Sequence, residues 1–221
     1  MLVHTLFFFI SSLFPYYFRK FAIMKTNLDA NIIQSENVII ADADYIDKVA
    51  FDLIVNFERM IGRRIHEADM ARWLDCIALD GGIREGESQT QVILIHDKKN
   101  VGLDNFVPSN LKHELNGKAF RDNLGEFVIT TLPIEDMVSR EDFFVDILRV
   151  ATLQTSVKRI MIVPDTETYY NNVVHALRNV DDSKRMTVFS MQPMPGGNFR
   201  QEILGYSLMN ALGISADEIK P

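Results

Sequence analysis

The chain has 221 residues, enough for one ordinary α/β domain, and its 47% hydrophobic and 24% charged residues are those of a globular protein, not a disordered or collagen-like one. The single cysteine, Cys76, excludes a disulfide framework and a cysteine-based zinc finger, and it fits a reducing, cytoplasmic compartment. With 23 Lys+Arg against 30 Asp+Glu the formal net charge is −7, which argues against electrostatic coating of nucleic acid but leaves room for a local basic groove around an acidic, metal-binding centre.

Leu2 to Phe18 is dense in Leu, Phe, Ile and Tyr, but a membrane span needs about 20 apolar residues. It has no charged start beyond His4 and no small-residue cleavage site before Arg19-Lys20, as a signal peptide would. Residues 1–24 are expected to be an upstream extension from a mis-assigned start, ahead of an anchor or a signal peptide; membrane association is expected only if they are retained. Residues 25–221 are read as a single domain.

Val38-Ile39-Ile40-Ala41 is a wholly apolar run, as in a strand buried on both faces. Ile46, Val49, Ala50, Leu53, Ile54, Phe57 and Ile61 then recur at helical spacing. A second helix is predicted from His66 to Leu79, stopped by Gly81-Gly82, with Cys76 as core filling beside Trp73 and Ile77. Gln91–His96 and Phe127–Leu132 read as the second and third strands. The polar connection between them, Asp97–Gly125, is too long for a plain loop and carries a short helix around Ser109–Leu115. Ser139 and Asp142 form a capping-box pattern opening a helix to Leu153. Arg159–Val163 is the fourth strand, Thr166–Val180 a helix and Met186–Met191 the fifth strand, and a last helix over Phe199–Leu212 ends at Gly213. Strands alternating with helices predict a mostly parallel, doubly wound sheet of three layers, with its ligand site beyond the carboxyl ends of the strands.

Two of those strand ends are acidic. The first terminates in Asp42-Ala43-Asp44, the fourth in Asp165-Thr166-Glu167. Gathered carboxylates raise one another's pKa or demand a cation, and hard oxygen ligands suit Mg²⁺ or Mn²⁺. The same acids also suit helix caps: Asp44, and Thr166 or Asp165, stand where helices begin, whereas Asp42 precedes the expected cap. On the helix after Ser139, Phe143, Ile147, Val150 and Leu153 define an apolar arc that contains Asp146, a carboxylate that needs either a ligand or a buried ion pair. Asp142, at the arc's edge, also suits the helix N-terminus.

Strand–Asp-x-Asp, an acidic helix, then strand–x-x-Asp-x-acidic–helix resembles the NYN branch of the PIN-like nuclease superfamily over residues 36–192. Asp42 and Asp44 are similar to its first acidic motif, Asp146 and less securely Asp142 to its helix acids, and Asp165 and Glu167 to its last motif, nineteen positions beyond Asp146. The resemblance implies an α/β/α sandwich with a five-stranded sheet of order 3-2-1-4-5 and a Mg²⁺- or Mn²⁺-dependent endoribonuclease. In it, Asp42, Asp146 and Asp165 would hold the metal and carry catalysis, supported by Asp44, Asp142 and Glu167. Three departures open the alternative of a silent module that binds RNA or protein: Val163-Pro164 stands for the usual Ser-Gly, Glu167 for Asp, and Arg140-Glu141 for Lys-Gly.

Lys98, Lys99, Lys112, Lys118 and Arg121, interleaved with Phe106, His113 and Phe120, either guide a single RNA strand or are simply solvated loop charges. There is no glycine-rich phosphate loop, so no nucleotide cofactor is expected, and the histidines lack paired spacing for zinc.

Overall fold

A computed structural model of the chain describes residue 33 and residues 35–219, so the reading of residues 1–24 lies outside the described residues. Asn37–Asp42 form β1, buried at every position. Helix α1 (Ala43–Ile61) follows, then β2 (Ala68–Asp69), α2 (Met70–Asp80) and β3 (Gln89–Asp97). Next come β4 (Phe106–Val107), a π-helical turn (Leu111–Leu115), β5 (Lys118–Asp122) and β6 (Gly125–Ile134). The chain continues through α3 (Arg140–Leu153), β7 (Arg159–Val163), α4 (Tyr170–Leu177), β8 (Arg185–Ser190), β9 (Arg200–Ile203), α5 (Leu204–Ala211) and a 3₁₀ turn (Ala216–Ile219).

Seven strands form one sheet in the order β5-β6-β3-β1-β7-β8-β9, parallel throughout except for the β5–β6 hairpin. β2 and β4 pair separately. β1 lies between β3 and β7, with Ala41 opposite Leu94 on one side and Val163 on the other. That is where the strand order reverses, and Asp42 ends β1 there.

Successive side chains of a strand point to opposite faces. Ile39, Ala41, Val92, Leu94, Met161, Val163 and Phe189 join a core with Ile46 and Val49 of α1, Trp73, Leu74 and Ile77 of α2 and Leu204 and Leu208 of α5. The alternate residues Val38, Ile40, Ile93, Ile95, Ile160 and Ile162 are equally buried, which explains why these strands read as unbroken apolar runs. α3 packs against β1 and α4.

The sheet departs from the sequence reading at its edges, with seven strands where five were expected. β5, inside the long polar connection, turns back antiparallel on β6, and Gly125 makes the turn possible: its φ is +116°, and a Cβ there would lie 1.9 Å from the Ser88 carbonyl oxygen. The last predicted helix is shorter than expected. Arg200–Ile203 extends to pair with β8, leaving Leu204–Ala211 helical before Gly213 at φ +66°. α4 is likewise only eight residues, because residues 165–169 are a side-chain-bonded turn. Residues 66–69 precede α2, and Ala68–Asp69 pair with β4. Cys76 is only half-buried, not the core residue expected.

Candidate functional site

Asp42 closes β1 with its backbone still extended (φ −76°, ψ 103°), and its Oδ1 accepts the Tyr45 N–H at 3.1 Å. It is therefore the N-cap of α1. The sequence reading expects the cap at Asp44, with Asp42 left over for chemistry; the helix starts earlier, at Ala43, and Asp42 takes the capping place.

Arg140, the first residue of α3, crosses to both acids. Its Nη1 donates to Asp42 Oδ1 at 2.7 Å and its Nη2 to Asp44 Oδ2 at 2.5 Å. The other oxygen of Asp42 accepts the Tyr169 hydroxyl at 2.7 Å. Asp44 also accepts the Asp97 N–H at 2.7 Å on Oδ2 and Asn100 Nδ2 at 2.6 Å on Oδ1. Asp42 is 1% exposed and Arg140 28%. Burial pushes the Asp42 carboxyl above the ordinary range, while Arg140, Tyr169 and Tyr45 pull it back. Burial also opposes the Arg140 charge, but Asp42 and Asp44 outweigh it and hold the guanidinium above its ordinary value. Tyr169 is driven far up by burial and by Asp42, so its hydroxyl keeps its proton and donates.

The remaining candidate acids have separate partners. Asp165 Oδ1 accepts the N–H groups of Glu167 and Thr168 at 3.0 and 3.2 Å, and its Oδ2 accepts the Thr168 hydroxyl at 2.7 Å. This closes a turn ahead of α4 and is not the helix cap expected: α4 begins at Tyr170 after Tyr169, which makes no side-chain cap bond. Glu167 pairs with Lys48 at 2.7 Å, both exposed. Asp142 N–H donates to Ser139 Oγ at 3.0 Å, which makes Ser139 the N-cap of α3, and the Asp142 carboxylate accepts the Ser139 hydroxyl at 2.8 Å where the expected capping box would have it accept the Ser139 backbone N–H. Asp146 is 30% exposed and pairs with Arg149 on its own helix at 3.2 Å. It does not sit on the core stripe, because Leu153, used to draw that stripe, is 80% exposed. The buried arc centres instead on Phe144, Ile147, Leu148 and Ala151.

These residues do not fit the expected Mg²⁺ or Mn²⁺ centre. Such an ion needs several open carboxylate oxygens converging on one point. Both oxygens of Asp42 are committed, a guanidinium already lies between Asp42 and Asp44, and Asp146 is held by Arg149. Among the described residues no group of three or more His, Cys, Asp or Glu side chains is placed to hold a metal ion. The positive charge that the acidic pair requires is supplied by the chain itself.

The basic candidates are spread over three elements. Lys98, after β3, pairs with Asp136 at 3.0 Å and Glu135 at 3.7 Å. Arg121 on β5 lies 3.9 Å from Glu87 and 4.0 Å from Glu126. Lys99, Lys112 in the π-helical turn and Lys118 on β5 are exposed. Sequence reasoning treats Arg140 only as a departure from a motif, and it misses Tyr169, Asn100 and the Asp97 amide altogether. The available signal is an arginine opening a helix whose preceding strand ends on the acidic side of the sheet.

No curated protein and no solved structure matches the chain. One family profile does, described as a family of unknown function (DUF6621), over residues 31–219. The chain belongs to that family.

Proposed function

We propose that this chain is a catalytically silent, PIN-like module: a three-layer α/β/α sandwich, with the five inner strands in the order 3-2-1-4-5, that binds a protein partner and does not cleave RNA. One observation carries this reading. The guanidinium of Arg140 spans Asp42 and Asp44, where a nuclease of this kind would use a divalent ion. Arginine supplies positive charge and fork geometry, but it generates no hydroxide from bound water, which is the chemistry a metal contributes. Asp42 cannot act as a base either, since both its oxygens accept hydrogen bonds and it is buried. A protein partner is favoured over RNA by the net charge of −7 and by the acids that engage Lys98 and Arg121.

The test is incubation of labelled single-stranded RNA with the full chain in Mg²⁺ and in Mn²⁺, with Asp42→Asn beside it. No cleavage by either protein, and no RNA-dependent anisotropy change at physiological salt, is the expected result. Metal-dependent cleavage by the native chain that disappears in Asp42→Asn overturns the reading and restores the endoribonuclease.

A further inference from the structure

Helix α1 carries apolar residues beyond those that face the core. Phe51, Ile54 and Val55 stand three and four positions apart, on one face of the helix. Ile54 packs against the edge of the core, but Phe51 is 54% exposed and Val55 is half-buried. The three side chains line a groove of about 720 Å³, bordered by residues 62–65 and 67 and by Asp104 and Asn105. An apolar surface with a polar rim of this kind marks a place where another molecule sits.

Both borders are fixed to the helix. Gly62, at φ +70°, ends α1 in the left-handed conformation, with its N–H on the Glu58 carbonyl at 3.0 Å. Glu58 Oε1 then accepts the Ile65 N–H at 2.8 Å, which holds the returning segment beside α1, and Ile65 is buried. At the second border, Asp47 Oδ1 accepts the Asn105 N–H at 2.8 Å. Asn105 Nδ2 donates to the Asp47 carbonyl at 3.2 Å and to Asp47 Oδ2 at 3.1 Å. A surface tied down in this way loses little freedom when a partner arrives.

The groove also has a sign. Its lining includes the carboxylates of Glu58, Glu67 and Asp104 and the guanidinium groups of Arg63 and Arg64. Arg63 is already committed: its Nε and Nη2 donate to the two oxygens of Glu218 at 2.6 and 3.1 Å, and Nη2 also donates to the Gly213 carbonyl at 3.0 Å. Glu67, Asp104 and Arg64 are exposed, and their side chains make no ion pair among the described residues. Three carboxylates therefore face one uncommitted guanidinium, in a chain of net charge −7. That balance repels phosphate, of nucleic acid or of an anionic membrane, and attracts Lys and Arg.

Resting on the reading of the chain as a protein-binding module, we propose that this groove receives a basic segment of a partner protein, its apolar side chain seated against Phe51 and Val55 and its Lys or Arg residues facing Glu67 and Asp104. The aromatic ring supplies affinity once the partner excludes water from it. The carboxylates set the charge that the partner must carry.

The test is selection of short random peptides displayed on phage against the full chain, with the enriched peptides then synthesised, labelled and titrated by fluorescence anisotropy. Enriched peptides are expected to carry Lys or Arg flanking a large apolar residue. Phe51→Ser is expected to weaken their binding at least about tenfold. Replacing Glu67 by Gln and Asp104 by Asn together removes two exposed charge contacts and is expected to weaken binding about fivefold at low salt. That difference should nearly vanish at about 0.5 M salt. Should Phe51→Ser fail to fold, the exposed acid variant and peptides with Glu in place of Lys and Arg decide the matter, both binding more weakly. Enrichment of acidic peptides, no enrichment at all, or equal binding to the native chain and the variants each overturns the proposal. Metal-dependent RNA cleavage overturns the silent-module reading in a separate assay, so the two fail independently.

Discussion

Arg140 joins the start of α3 to the end of β1 through two carboxylates of unequal burial. Asp42 is the expensive partner, because a desolvated carboxylate is tolerated only while its compensating charge is in place. Breaking a buried pair from one side costs about 3–5 kcal/mol. Arg140 is the more solvent-exposed member, so Arg140→Ala is expected to lose about 3 kcal/mol, measured by urea denaturation at neutral pH. Arg140→Lys keeps the charge but not the two-pronged geometry and should fall between native chain and Ala variant. A loss for the Ala variant within about 1 kcal/mol would mean the pair behaves as an ordinary surface bridge. The acids themselves are legible in the sequence, but their employment is not. Asp42 and Asp165 each accept nearby backbone N–H groups, and Asp142 the neighbouring Ser139 hydroxyl, with the residue type a metal site would also use. For Asp42, what separates the two uses is a partner far away in sequence, Arg140 or Tyr169, that no local spacing reveals.

At the scale of elements, the strands that read most clearly are those buried on both faces. Arg159–Val163 has the same bounds in sequence and structure, and Asn37–Asp42 and Gln89–Asp97 extend their apolar runs by only a few polar residues. β5 and β9 are obscure for the opposite reason. Each is short and charged and is made a strand by its neighbour, so Lys118–Asp122 carries no apolar run and Arg200–Ile203 reads as the first turn of a helix. Arg149, which takes Asp146, is equally invisible to an apolar-arc argument that counts Leu153 as core. The β5–β6 hairpin depends instead on a backbone conformation. Gly125 at φ +116° passes the Ser88 carbonyl so closely that a methyl group has no room. Gly125→Ala is expected to lose about 3 kcal/mol through strain at that single position. Amide exchange in β5 should accelerate well before exchange in β1 or β7. Uniform acceleration across all strands would show the hairpin to be an inseparable part of the central sheet.

For the molecule as a whole, the seven-stranded sheet of the described residues ends in β5 and β9, and both end strands carry charge. β5 presents Lys118, Arg121 and Asp122, and β9 presents Arg200 and Glu202, which pair with each other at 2.6 Å. An uncharged edge offers unpaired N–H and C=O groups to another chain, and a charged side chain blocks that approach because pairing would bury it. The polar residues that hide these strands from sequence reading thus have a use in the folded protein. Replacing Arg200 and Glu202 together by Val keeps β-forming character on β9 and preserves net charge, so any change in association cannot be assigned to overall repulsion. Sedimentation velocity of the double variant is expected to show concentration-dependent association at concentrations where the native chain sediments as a single species of unchanged size. The single variants Arg200→Val and Glu202→Val each leave one unpaired charge on the edge and should associate less than the double variant. Identical sedimentation of native and double-variant chains would mean that the backbone of β9 is protected by something other than its charged side chains.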